Sequence, residues 1–226
     1  MLYLFLAVFG LGLALGPGMW VRWVLWRHGG ERDELRHTGA GLCNWLIVEY
    51  GLPGVTVEET DLGDHYEPQT KTIRLAPLHY GRRSVAATAV ALHEFGHALQ
   101  DREGYKPLVV RQQMVAVTGR VERLASFALL VTPMVAPVAP GAARLLLLCG
   151  ALGMLLGIPA RFVTLPVEFD ASFARALPLI RKHGLLESKQ VRAAHQVLLA
   201  CALTYAASAL AGLLSIRRWA RLVFRR

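Results

Sequence analysis

The chain has 226 residues, 54% of them apolar or aromatic and 18% charged, against about 45–50% and about 25% for an ordinary soluble domain. That balance excludes a largely disordered chain, and with a mean hydropathy of +0.38 it predicts a mainly α protein built around membrane helices. The formal charge of +9 does not indicate a nucleic-acid partner, because Arg22–Arg123 carries 13 basic and 13 acidic residues and the surplus lies beside apolar runs, where anionic lipid headgroups attract arginine.

Leu2 to Val21 is uncharged over 20 residues, enough to cross a bilayer core of about 30 Å at 1.5 Å per residue. A cleaved signal peptide fits less well, since a basic leading segment is missing and the run is too long. Trp20, Trp23 and Trp26, interleaved with Arg22 and Arg27, read as an interfacial belt. Glu31 to Tyr50 is amphipathic and predicts a helix that Gly51-Leu52-Pro53-Gly54 stops. Val55 to Glu59 and Thr72 to Leu75 alternate with period two around the turn residues Tyr66 to Lys71, which predicts a small antiparallel sheet. Ser84 then opens an apolar helix running to about Asp101.

Two further uncharged runs, Leu124 to Ala143 and Leu145 to Ala160, predict a membrane hairpin with its apex near Pro140 to Arg144, and Ala193 to Ile216 predicts a last span before Arg217 and Arg218. The expectation is therefore a four-span helical membrane protein, one domain over residues 1–226 with spans at about 2–21, 124–143, 145–165 and 193–216. Small residues four apart, such as Gly153 and Gly157, offer faces for helix association or oligomerisation. Basic residues number 19 on the side carrying 22–123 and 161–192 and 6 on the other, so a multi-pass membrane protein with a cytoplasmic active site is expected. Cys43, Cys149 and Cys201 are scattered and suggest neither a disulfide framework nor a cysteine metal site.

The chemistry centres on His93-Glu94-Phe95-Gly96-His97, an H-E-x-x-H string inside the predicted helix. Residues four apart share a helical face, so both imidazoles can meet one Zn²⁺, which lowers the pKa of water toward about 7. Glu94, one step round, is the candidate general base. Gly96 leaves room for a close neighbour. A catalytic zinc needs a third ligand, and the downstream candidates are Asp101, Glu103, Glu122, Glu168 and Asp170. Asp101 and Glu103 follow His97 too closely, and Glu122 stands beside Arg123 as an interfacial ion pair. Glu168 is favoured: Pro166 is suited to start a helix, and Ala171 and Ser172 are small enough for close packing. Glu122 and Asp170 remain as alternatives, although Asp170 is better cast as a hydrogen-bond acceptor for a ligand imidazole N–H.

The segments His93 to Gln100, Tyr66-Glu67-Pro68 with Lys71 to Leu75, Gly104 to Leu108 and Thr164 to Ser172 together resemble the YugP-type neutral zinc metallopeptidases of bacterial membranes over nearly the whole chain. The resemblance implies a gluzincin-like endopeptidase with His93 and His97 as ligands, Glu94 as base and Glu168 matching the downstream Glu motif. It also implies a zincin-like catalytic region at about 31–122 plus 161–192. The family more often has Asp before Pro68, a turn position that leaves the metal site untouched. The function expected is a membrane-bound zinc-dependent endopeptidase acting on membrane-proximal protein segments, with Thr72 to Leu75 as a candidate edge for extended substrate. An intramembrane-cleaving protease would need the metal helix itself to span, and a catalytically silent scaffold is at odds with an intact Glu94. His65, His79 and Tyr105 read as polar loop residues and His195 as interfacial. No phosphate-binding or dinucleotide-binding glycine motif is present.

Overall fold

The computed structural model describes residues 2–204, without the side chains of residues 2–11, 13, 14 and 157–162. The chain is mainly helical and divides into two compact units. One comprises residues up to Gly18 together with Val109–Leu165; the other comprises Met19–Leu108 and Pro166–Thr204.

The second unit holds the chemistry. After α1 (Leu2–His28) comes α2 (Gly39–Glu49), which begins where the Thr38 side chain accepts the Gly41 N–H at 3.1 Å. The amphipathic pattern from Glu31 therefore overstates this helix at its start, because the cap residue Thr38 has extended backbone. Three short strands follow, β1 (Thr56–Glu59), β2 (His65–Glu67) and β3 (Thr72–Leu75). Their spatial order is β1-β3-β2, with β1 parallel and β2 antiparallel to β3. The expected antiparallel pairing of the two alternating segments is thus corrected to a parallel one. A third strand, hidden within the turn-rich stretch, turns back through Lys71 at φ 52° and pairs on the far side of β3. Arg74 on the central strand reaches Glu58 on one neighbour and Glu67 on the other.

Next come α3 (Pro77–Tyr80) and α4 (Val85–Arg102), whose first turn is capped by the Ser84 hydroxyl accepting the Ala87 N–H at 3.0 Å. Every residue of α4 from Val85 to Gln100 is buried, so this helix is the axis of its unit. Packed around it are α2, α3, the sheet and a π-helical turn at Asp170–Ala176. Leu42, Leu46, Ile73, Leu92, Phe95, Ile180 and Leu198 form the centre of the core.

In the first unit, α5 (Lys106–Val135, entering it at Val109) and α6 (Pro140–Val163) form a helical hairpin whose turn is at residues 136–139. The helices touch through glycine: a Cβ on Gly150 would stand 2.6 Å from the Leu129 side chain, and one on Gly153 would stand 2.7 Å from the Ala125 methyl.

The four-span expectation is overturned, because among the described residues no helix is long and apolar enough to cross a membrane. In α5 the uncharged helical stretch runs only from Leu124 to Val135, about 18 Å at 1.5 Å per residue and short of the bilayer core. Most of the stretch at about 145–165 lies in α6, which ends at Val163 and carries Arg144 in its first turns. The end of α1 turns Val21 and Val24 into the core of the second unit. Likewise Ala194, Val197, Leu198 and Ala200, in the helical stretch 188–204, are fully buried in that core. Their apolarity is explained by protein neighbours. The remainder of that expected last span, from residue 205 on, lies outside the described residues.

Candidate metal centre

Because α4 is a regular helix, His93 and His97 fall one turn apart on the same face, with ring centroids 4.7 Å apart. The helix has to be approached closely for anything to meet them, and Gly96 permits that. A Cβ on Gly96 would lie 2.8 Å from the Ala171 carbonyl oxygen and 3.2 Å from its Cα, closer than a side chain tolerates. The π-helical turn is therefore seated directly on the glycine.

That seating delivers Glu168. The short helix α7 (Leu165–Phe169), with Pro166 in its first turn, leads into the π-helical turn, where the Leu177 N–H reaches the Ser172 carbonyl five residues back. The Glu168 carboxylate lies 3.1 Å from His93 Nε2 and 3.3 Å from His97 Nε2. All three residues are buried, and their donor atoms lie within 4.8 Å of one another. A tetrahedral ion with bonds of about 2.0–2.1 Å holds its donors about 3.3 Å apart. The two nitrogen–oxygen separations therefore match the edges of a tetrahedral zinc site, and two imidazoles with one carboxylate are donors suited to zinc. Among the described residues this is the group of His, Cys, Asp and Glu side chains that could hold an ion.

The opposite edges of both rings are also engaged. His93 Nδ1 lies 2.9 Å from the Ser172 hydroxyl, which donates to the Leu198 carbonyl at 3.1 Å. His97 Nδ1 lies 2.9 Å from Gln100 Oε1. The Gln100 amide donates to the Val167 carbonyl at 2.9 Å and to Asp170 Oδ2 at 2.7 Å. Asp170 Oδ2 also accepts from Arg175 Nε at 2.6 Å, and Arg175 continues to Glu103 at 2.9 Å and lies over the Tyr105 ring. Asp170 thus reaches the imidazole only through Gln100, one step further out than the sequence reading had it. Glu94 is buried next to the two histidines. Burial raises its carboxyl above the ordinary carboxylate range, with His93 and His97 pulling the other way.

The remaining candidates are placed elsewhere. Asp101 accepts the Tyr66 hydroxyl at 2.9 Å, Glu103 pairs with Arg175, and Glu122 belongs to the other unit. His79 pairs with Asp64 at 2.8 Å, His65 Nδ1 meets the Gly63 carbonyl at 2.8 Å, and His195 packs on Phe173. Thr72 to Leu75 is the central strand, so both of its edges are occupied and it offers none to a substrate. Sequence reasoning missed the roles of Gln100 and Ser172. The available signal was spacing: Gln100 stands one turn beyond His97, and Ser172 one turn beyond Glu168.

Two helix-borne histidines one turn apart, closed by a carboxylate from a second helix, are the ligand pattern of the zinc metallopeptidases. In agreement, the family described as "Putative neutral zinc metallopeptidase" matches residues 3–224, and the chain belongs to it. It is similar to the "Putative membrane protease YugP" of Bacillus subtilis (strain 168), with 34% identity over 225 residues that cover 97% of this chain and 95% of that protein. No solved structure matches.

Proposed function

We propose that the chain is a zinc-dependent endopeptidase acting on protein segments at a membrane surface. His93, His97 and Glu168 would hold the metal. Zinc bound there supplies a Lewis acid toward water and the peptide carbonyl. Glu94 is the general base: its buried carboxylate, adjacent to His93 on α4 and with raised proton affinity, takes a proton from water and returns it to the leaving amine. Ser172 and Gln100 hold the two rings from behind. The observation that carries the reading is the convergence of two imidazole nitrogens and one carboxylate at tetrahedral spacing in a buried site.

The membrane element is supported by the printed name of the Bacillus relative and by the end of α1. There Trp23 is 52% and Trp26 77% exposed beside Arg22 and Arg27, a pairing of aromatic and basic groups suited to lipid headgroups. The α5–α6 hairpin likewise leaves Leu124, Phe127, Leu130 and Met134 exposed along α5.

Comparing the native protein with Glu94→Gln in membranes tests the reading. The variant should retain zinc, lose at least about a hundredfold in peptidase activity, and accumulate uncleaved substrates bound to it. Undiminished cleavage by Glu94→Gln would overturn the assignment of the base.

A further inference from the structure

We propose that Gln100 and Ser172 are positioning residues that each accept from a histidine Nδ1–H, so that Nε2 is the nitrogen both rings turn toward Glu168 and the metal. Asp170 and Arg175 act on His97 only through the Gln100 amide. The inference rests on the zinc reading above and concerns how this chain prepares the site.

Donor accounting carries it. Gln100 has two amide hydrogens, and both are committed to groups that can only accept: the Val167 carbonyl at 2.9 Å and Asp170 Oδ2 at 2.7 Å. A flipped amide would turn its oxygen toward those two acceptors. The orientation is therefore settled, and Gln100 Oε1 faces His97 Nδ1 at 2.9 Å as an acceptor. The proton in that contact belongs to the imidazole. Ser172 has one hydroxyl hydrogen, and a carbonyl cannot donate. If the 3.1 Å contact with Leu198 O and the 2.9 Å contact with His93 Nδ1 are both hydrogen bonds, the hydroxyl gives its hydrogen to Leu198 and accepts from Nδ1–H.

Rings held this way turn their Nε2 atoms toward the Glu168 carboxylate, 3.1 and 3.3 Å away. Two Nε2 atoms and a carboxylate oxygen then face one point, where a zinc ion would take the place of any Nε2 proton. The locks differ in kind. On His93 the lock is a hydroxyl tied to the backbone of the 188–204 helix, and on His97 it is a neutral amide. The amide is itself pinned by a carboxylate that an arginine satisfies. Interposing Gln100 keeps the Asp170 charge one residue away from the imidazole while still using it to fix the ring.

The experiment uses the full chain, with zinc affinity measured against a competing chelator and the imidazole protons observed by ¹⁵N–¹H correlation after ¹⁵N-histidine labelling. Gln100→Met and Ser172→Ala should each bind zinc about 10–100-fold more weakly. Gln100→Met should lose the slowly exchanging Nδ1–H signal of His97 and keep that of His93, and Ser172→Ala should do the reverse. The double variant Gln100→Glu with Asp170→Asn, which restores an acceptor toward His97 and a donor toward position 100 from position 170, should recover most of the affinity that Gln100→Glu alone loses. Native affinity and unchanged Nδ1–H signals in both single variants would overturn the proposal. So would the absence of Nδ1–H signals from the native chain, a readout that does not depend on any variant folding. If the native chain binds no more zinc than His93→Ala while its metal-free imidazoles still carry Nδ1–H, the zinc reading fails and the Nδ1–H lock stands.

Discussion

The Ala171 carbonyl oxygen lies 2.8 Å from the point where a Cβ on Gly96 would stand. Backbone thus rests on backbone between the two histidines of α4 and the segment that brings in Glu168 and Ser172. Gly96→Ala should push that segment outward, costing about 1–3 kcal/mol as overpacking does and lowering zinc affinity along with it. Thermal melts and zinc titration of the same variant check this; a Gly96→Ala protein with native melting and native affinity would show that the contact is slack.

Zinc content separates the ligands from the residues behind them. The native chain should hold one zinc, His93→Ala should hold none after dialysis against a mild chelator, and Glu168→Ala should bind far more weakly than Asp170→Asn, because Asp170 reaches the site only through Gln100. Elemental analysis with chelator competition measures all four. Equal affinities for Glu168→Ala and the native chain would remove Glu168 from the site.

Tyr66 makes stability depend on alkaline pH. Burial, together with its hydrogen bond to Asp101 at 2.9 Å, pushes its phenol above the ordinary tyrosine range. The folded state therefore favours the neutral phenol. Its contribution is fully present below the unfolded pKa of about 10 and is lost as pH climbs from there through the raised folded value. Tyr66→Phe should cost about 1.5–3 kcal/mol at neutral pH, the worth of a hydrogen bond to a charged group, and should flatten the fall in melting temperature above pH 10. An unchanged alkaline slope would assign that fall to other groups.

The exposed pair Trp23 and Trp26 should matter for lipid and not for chemistry. Replacing both with serine should weaken co-sedimentation of the protein with vesicles containing anionic lipid while zinc affinity stays native. Full vesicle binding by the double variant would move lipid contact to another surface, the exposed side of α5 being the next to test.

The site was more legible in the sequence than the architecture around it. His93, His97 and Gly96 declare themselves by helical spacing, and Pro166 to Ser172 by a helix start followed by small residues. Gln100 and Ser172 were not legible as positioning groups, because whether a polar side chain turns toward a ring edge depends on what packs opposite it. The membrane spans were misread for a related reason. Val197 and Leu198 are apolar because α4 and its neighbours surround them, and composition does not distinguish a side chain facing lipid from one facing protein. The sheet was misread because three residues, His65 to Glu67, form a strand too short for alternation to show.

Ser172 is tied to the carbonyl of Leu198, so the groups that build the centre are spread from position 93 to position 198. A chain emerging from the ribosome holds both histidines long before it holds Glu168, and Glu168 before the backbone that orients Ser172. Until the chain has been made as far as position 198, the histidines lack their full set of hydrogen bonds. The candidate metal centre of a nascent copy is therefore completed only together with the core into which Leu198 packs.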